Sequence, residues 1–388
     1  MLTLSGINTY SGGSNVANGT LTAGNDSAFG TAAVNITAGA GILDLNGKTI
    51  ANPLNNNGAT GCVITNSSAT AATVSEGMNS SGAAGYVISD FKVNGTGDIL
   101  WTGALRRTAT FGILTKEGTN QLTFNGPSLI SNMSLIVNEG TVLIGKTATS
   151  IQDLTINGGT LKMDPANQVA TANIWSGIIG NTAVMNGGIW DLNDSGTNGV
   201  NNRVKRISGT GGTITNSGTA DSLLVLAARD VGVVPTVSWA GNIQDGGSGG
   251  KVAVSITDGG SIGQVMIFSG THTYSGTTNI VRNTMRAGAT GVFSANSEFI
   301  LSNHTESTLD LNGFDNSIGA LSGAHASSKV ILDSGTLTVG NLGYSGTFNG
   351  IISGTGGIVK VGTGTLTLAG ANTYTGDTTV NNGILAVD

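Results

Sequence analysis

The chain has one cysteine (Cys62), four prolines and few charged side chains, and each shortage removes a class of protein. A lone thiol excludes an internal disulfide framework and a cysteine-based zinc cluster. Charged residues make up 10% of the 388, against about 25% in an ordinary soluble protein. Low charge means either burial or disorder; Val, Ile and Leu recur in phase from end to end and mean hydropathy is +0.15, which argues against disorder. A net charge of −6 and a pI near 5.0 do not suit a nucleic-acid partner. No run of 18 apolar residues exists to span a membrane as a helix; the most apolar stretch, Ser222 to Val234, is interrupted by Arg229-Asp230 and reads as buried strands. With only four prolines, almost every backbone N–H is free to donate, as continuous strand ladders require. Met1-Leu2-Thr3 opens on a strand with no charged n-region, so no signal peptide is expected. The final residues stop inside a motif, with no amphipathic barrel strands, so the expectation is a section of something longer.

What the chain has instead is glycine, 63 residues of it, and a phrase written more than once. Its last 34 residues alternate apolar and small polar side chains in short runs (Val359/Val361, Leu366/Leu368, Leu385/Val387), separated by Gly, Asn and Thr clusters. Such runs predict short strands with one buried face, and such clusters predict turns. Leu2-Thr-Leu-Ser-Gly-Ile-Asn-Thr-Tyr-Ser-Gly12, Met266-Ile-Phe-Ser-Gly-Thr-His-Thr-Tyr-Ser-Gly276 and Leu366-Thr-Leu-Ala-Gly-Ala-Asn-Thr-Tyr-Thr-Gly376 align without a gap. Gly6, Gly270 and Gly370 share a column, as do Tyr10, Tyr274 and Tyr374, and Val16, Ile280 and Val380. The first and last copies agree at 12 of 23 positions, too many for coincidence even in so glycine-rich a chain. A worn fourth copy runs from Leu122 to Leu143, with Ile130 in the tyrosine column.

The copies begin at Leu2, Leu122, Met266 and Leu366, spacings of 120, 144 and 100 that are near multiples of roughly 20 to 24, the length of one solenoid coil. Echoes fill the gaps: Ile42-Leu-Asp-Leu-Asn-Gly47, Ile189-Trp-Asp-Leu-Asn193 and Thr308-Leu-Asp-Leu-Asn-Gly313 form one set. Turn-like Asn18-Gly-Thr-Leu21, Asn157-Gly-Gly-Thr-Leu161, Asn186-Gly-Gly-Ile189 and Ser334-Gly-Thr-Leu337 form another. The pattern predicts a single all-β parallel solenoid over residues 1–388, about 17 to 19 coils and on the order of 80–90 Å long, with longer loops or irregular coils at 48–110 and 195–262. Backbone pairing must carry the stability, because apolar burial of about 1.5–3 kcal/mol per inward side chain does not by itself offset roughly 1–2 kcal/mol of entropy for every ordered residue.

The Gly364 to Gly376 run and the Asn381-Asn-Gly-Ile-Leu385 run resemble the autotransporter-associated β-strand repeat, also called the passenger-associated transport repeat. The match is tight there and at residues 2–21, fair at 266–288 and loose elsewhere. The resemblance implies a right-handed parallel β-helix from the passenger region of a bacterial surface or secreted protein, whose folding helps draw the chain outward.

Candidate sites are few. Gly140-Thr-Val-Leu-Ile-Gly-Lys-Thr147 matches the phosphate-loop pattern, but its Val-Leu-Ile middle reads as a strand, where a phosphate loop needs a turn opening a helix. Gly246-Gly-Ser-Gly-Gly250 fits a nucleophile elbow without its strand-turn-helix setting, and reads as a loop. His272, His304 and His325 are scattered, and His272 stands where the repeat has Asn8 and Asn372. Asp44, Asp191 and Asp310 would matter if stacked as a carboxylate cluster. Each instead sits in the same Leu-Asp-Leu-Asn phrase, which predicts a recurring turn or a solvent-facing strand position. The tyrosine column reads as packing over a corner, and stacked Thr and Asn columns as hydrogen-bonded ladders. The basic knots Arg106-Arg107 and Arg203-Val-Lys-Arg206 read as solvated faces or ion-pair partners, with a local anionic glycan or lipopolysaccharide contact as the alternative.

The expected function is structural and adhesive, without catalysis, cofactor, metal or nucleic acid. The expected setting is the bacterial surface or the extracellular space, outer membrane-associated through regions outside this chain. A host or neighbouring-cell receptor or glycan is the expected partner, along with self-association through open solenoid ends. Two alternatives predict different things: a filament subunit stacks end to end, and a polysaccharide-cleaving β-helix enzyme carries clustered carboxylates with Lys or Arg in a groove.

Overall fold

Short alternating runs on either side of Gly/Asn turns are too brief to pair as hairpins and too regular to be loops, so each must find its hydrogen-bond partners one circuit along the chain. The computed structural model of the protein describes residues 1–56, 60–78, 89–105, 112–126, 131–145, 150–164, 181–195, 202–227, 236–257, 263–302 and 307–388. Among these there is no helix, every strand pairing is parallel, and the sheets stack as a β-solenoid. Strands run from 2 to 11 residues.

The chain forms two compact units, Met1–Asn181 with Gly188–Asp191, and Thr182–Gly187 with Leu192–Asp388. In the first, one ladder climbs through Leu2–Leu4, Ser14–Ala23, Val34–Asp44, Cys62–Asn66, Phe91–Gly95, Ile113–Lys116, Ser131–Val137 and Ser150–Ile156. A second climbs through Thr49–Ile50, Ala72–Val74, Ile99–Trp101, Gln121–Phe124, Thr141–Ile144, Thr160–Met163 and Ile189–Asp191. In the second unit, Val252–Thr257, Thr278–Ile280, Glu298–Leu301 and Ala320–Ser322 follow one another on one face. Val265–Phe268, Thr284–Ala287, Thr308–Asp310, Lys329–Ile331 and Ile351–Ser353 follow one another on another.

Register gives the length of each circuit. Leu2 pairs with Leu21, a step of 19, and Leu43 with Ile64, a step of 21. Phe299 pairs with Leu321 and Leu337 with Ile358, steps of 22 and 21. Among the widest are Cys62 to Phe91 and Leu226 to Ile256, steps of 29 and 30. The described residues make about 14 turns of about 22 residues, a coil length inside the 20 to 24 expected from sequence.

Inward side chains stack in columns along the ladders. Trp101, Phe124, Ile144 and Met163 form one, all at most 1% exposed, with ring centroids of Trp101 and Phe124 6.3 Å apart. At the end of the chain Leu366 and Leu368 are buried as the alternation implies. The neighbouring run is the reverse of its sequence reading: Ile358 and Lys360 face inward, and Val359 and Val361 are half-buried on the other side. A lysine in a core column is what the alternation rule could not anticipate.

The repeat glycines owe their places to backbone proximity. A Cβ on Gly270 would fall on the carbonyl of Gly241, and one on Gly370 on that of Gly350, each a circuit earlier; at Gly6, in the first coil, no earlier backbone comes near.

Candidate functional site

Every coil corner leaves turn amides and carbonyls unpaired, and a buried one costs about 1–3 kcal/mol unless something bonds to it. In this chain, polar side chains do so, and they reach across to neighbouring coils. Asn66 and Asn216 are fully buried and make matching sets of four hydrogen bonds. Asn66 Oδ1 accepts from Gly47 N and Ser68 N, while its Nδ2 donates to Thr70 O and Asp98 O. Asn216 Oδ1 accepts from Asp194 N and Gly218 N, and its Nδ2 donates to Ala220 O and Lys251 O. Each therefore ties three successive coils at one corner.

The Leu-Asp-Leu-Asn phrase is a turn. Asp44 and Asp310 accept from the N–H two residues on, at 3.0 and 2.8 Å. Asn46, Asn193 and Asn312 sit at φ of 46°, 40° and 50°, a left-handed conformation that asparagine tolerates. Asn46 and Asn312 donate back to Ala23 O and Ala287 O in the coil before. The aspartates are buried, not solvent-facing: Asp44 and Asp191 are 5% exposed and Asp310 3%. Asp44 takes the amide and hydroxyl of Ser67 in the next coil. Asp191 pairs with Lys162 at 3.2 Å and Asp310 with Arg286 at 2.8 Å, each an in-register partner in the preceding coil. Other carboxylates do similar work: Asp26, Asp90, Asp98 and Asp315 each accept a backbone N–H from 21 to 23 residues further along.

The tyrosine column has a specific bond behind it. Tyr10, Tyr274 and Tyr374 each share a hydrogen bond with the hydroxyl four residues on, Ser14, Thr278 and Thr378, at 2.6, 2.6 and 2.7 Å. Around fully buried Tyr274 the chain of hydroxyls continues to Ser297, and burial pushes the phenol's pKa well up.

His272 stands in for the repeat's asparagine by doing the same job. Asn372 Oδ1 accepts from Ile352 N, and His272 Nδ1 accepts from Ile243 N at 3.0 Å. An imidazole can accept only while neutral, and burial lowers its pKa from 6.5 to about 3. It packs against Phe268 and Trp239, with centroids 5.2 and 6.0 Å away. His325 is half-buried and accepts from Ser327 N at 3.1 Å, and His304 lies outside the described residues.

The phosphate-loop pattern runs through the strand Thr141–Ile144, as its composition implied; Lys146 and Thr147 lie outside the described residues. Ser248 of the Gly-Gly-Ser-Gly-Gly stretch is on an exposed turn. Arg203, Lys205 and Arg206 are half-buried and none lacks a partner, while Arg106-Arg107 lie outside the described residues. The asparagine column exists: Asn35 donates to Asn15 at 3.0 Å and Asn55 to Asn35 at 2.9 Å.

Two lysines escaped the sequence reading. Lys116 and Lys360 are 0% and 1% exposed and point inward, Lys116 between Val93 and Val137, Lys360 between Val339 and Val380. Burial lowers both pKa values; for Lys116 it does so to about 8, with Glu139 and Asp98 opposing, so the ammonium persists at neutral pH. Both stand six residues before the Leu-Thr of a repeat copy, Leu122 and Leu366, and both begin a Lys-x-Gly-Thr run. That was the available signal.

Among the described residues no group of three or more His, Cys, Asp or Glu could hold a metal ion. Cys62 is buried, its pKa raised by desolvation, with Asn56 Nδ2 donating to its sulfur at 3.7 Å. What the corners can do is bind the next circuit of backbone.

The model of the passenger-associated-transport-repeat family matches residues 1–23 and 358–387. The Adhesin BmaC autotransporter of Brucella suis biovar 1 (strain 1330) is 37% identical over 175 residues, 39% of this chain and 5% of that protein. The Extracellular serine protease of Serratia marcescens is 62% identical over 37 residues, 10% of this chain and 4% of the protease. The aligned stretches are thus small fractions of both relatives. No solved structure matches the chain. With its parallel ladders and cross-coil corners, this chain is a β-solenoid that carries the passenger-associated transport repeat at residues 1–23 and 358–387.

Proposed function

We propose that this chain belongs to a bacterial cell-surface or secreted passenger and serves as a non-catalytic scaffold that presents adhesive surfaces. The similarity to an autotransporter adhesin over 175 residues carries this reading. The corners support it chemically. Asp26, Asp44, Asp90, Asp98, Asp310 and Asp315 have backbone amides as partners, so these carboxylates are held for structure and are poorly placed for acid–base work. The partner is a receptor or glycan on a host or neighbouring cell.

Binding of the purified, fluorescently labelled chain to epithelial monolayers, with and without enzymatic deglycosylation, tests the adhesive role, and antibody labelling of intact bacteria tests the location. Saturable binding and surface labelling are expected. Absence of binding to either monolayer contradicts the adhesive role. Release of new reducing ends from polygalacturonate or alginate contradicts the non-catalytic one.

A further inference from the structure

The two inward lysines share more than burial. Lys116 Nζ donates to Glu117 O at 2.8 Å, Gly118 O at 2.6 Å and Glu139 O at 3.5 Å. Lys360 Nζ donates to Val361 O at 2.6 Å, Gly362 O at 3.0 Å and Asn382 O at 3.4 Å. In both, the first two carbonyls belong to the turn directly after the lysine. The third comes from the next coil, 23 or 22 residues on. The residue after that third carbonyl is also the same. Gly140 and Gly383 have φ of 66° and 75°, and a Cβ on either would lie 2.7 or 2.8 Å from the ammonium. The glycine therefore serves twice, taking a left-handed turn and leaving room for the cation.

We propose that Lys116 and Lys360 are docking residues of the repeat, inward ammonium groups that hold the corner of their own coil and receive the Asn-x-Gly corner of the coil that follows. A desolvated ammonium is tolerated only where acceptors replace its water, and charge-assisted bonds to carbonyls are about twice as strong as neutral ones. Before the following coil arrives, one of the three acceptors is missing. Its arrival completes the set, so the contact has a direction along the chain. The Lys-x-Gly-Thr run and the Asn-x-Gly turn, separate motifs in sequence, are thereby two halves of one contact. This inference does not depend on adhesion and stands or falls separately from it.

The test is hydrogen exchange in full-length Lys116→Met and Lys360→Met, since methionine keeps an apolar stem and lacks the ammonium. For Lys116→Met, amides of 138–144 are expected to exchange at least tenfold faster, with those of 329–339 unchanged. For Lys360→Met the loss is expected at 381–387, with 62–66 unchanged. Unchanged or slower exchange in the coil after the substituted lysine overturns the proposal, because the lysine is then only a filler of the core. Should Lys116→Met fail to fold, Lys360→Met decides, since its cage lies in the last described coil.

Discussion

At the scale of single residues, the clearest case is His272, whose use depends on its staying uncharged. Its pKa in the folded chain, about 3, lies below the ordinary 6.5, so the unfolded chain binds the extra proton first. Stability from this group is whole above pH 6.5 and is lost as pH falls toward 3, with a slope approaching about 1.4 kcal/mol per pH unit. His272→Asn restores the repeat's own acceptor and removes the titration. Urea melts from pH 7 down to pH 4.5 are expected to show the wild type losing stability relative to the variant, and parallel profiles contradict this. The substitution was visible in sequence as a departure from Asn8 and Asn372, but its meaning was not. That an imidazole nitrogen replaces a carboxamide oxygen appears only when Ile243 N is seen pointing at it. The tyrosine column was legible as a column and illegible as a bond to the residue four on, because packing and hydrogen bonding leave the same letter in the sequence.

At the scale of the element, corners carry more information than strands. Strand faces were read correctly where the inward residues are aliphatic, as at Leu366 and Leu368, and incorrectly at Ile358 and Lys360, where the inward end of the strand is a cation. Alternation rules assume that inward means apolar. They fail where a turn supplies enough carbonyls to replace water around a charge. The buried asparagines were missed for the same reason: Asn66 and Asn216 look like turn residues, and are, but each also joins three coils. Losing four bonds at a buried corner makes Asn66→Ala and Asn216→Ala costly, by about 2–6 kcal/mol each at roughly 0.5–1.5 kcal/mol per bond. The matching networks predict similar losses in the two units, read as drops in urea midpoint. A loss under about 1 kcal/mol in either would mean that the corner is held by something else. The half-exposed, solvent-screened pair Lys92–Glu117, by contrast, contributes about 1 kcal/mol or less.

At the scale of the molecule, repetition made the fold legible before any contact was known. Spacings of 100 to 144 between copies divided into coils, and the register steps of 19 to 24 within most of each unit have that length. What was not legible was the width of single coils, because nothing in the glycine-rich stretches announces the 29- and 30-residue steps. Cross-coil bonds to Asp, Asn and Lys explain why so weakly charged a chain keeps many of the charges it has. The claim beneath all of this is that each circuit lays its backbone in parallel register on the one before. Val63, Lys92, Thr115, Ile136 and Thr155 form one such row in the first unit. Spin labels at positions 63 and 155, in a Cys62→Ala background, test the claim by their dipolar distance. Four steps of parallel pairing place the two backbones about 19 Å apart despite a separation of 92 positions along the chain. A narrow distribution near that distance is predicted, and a broad one, or a separation beyond about twice that value, contradicts the account.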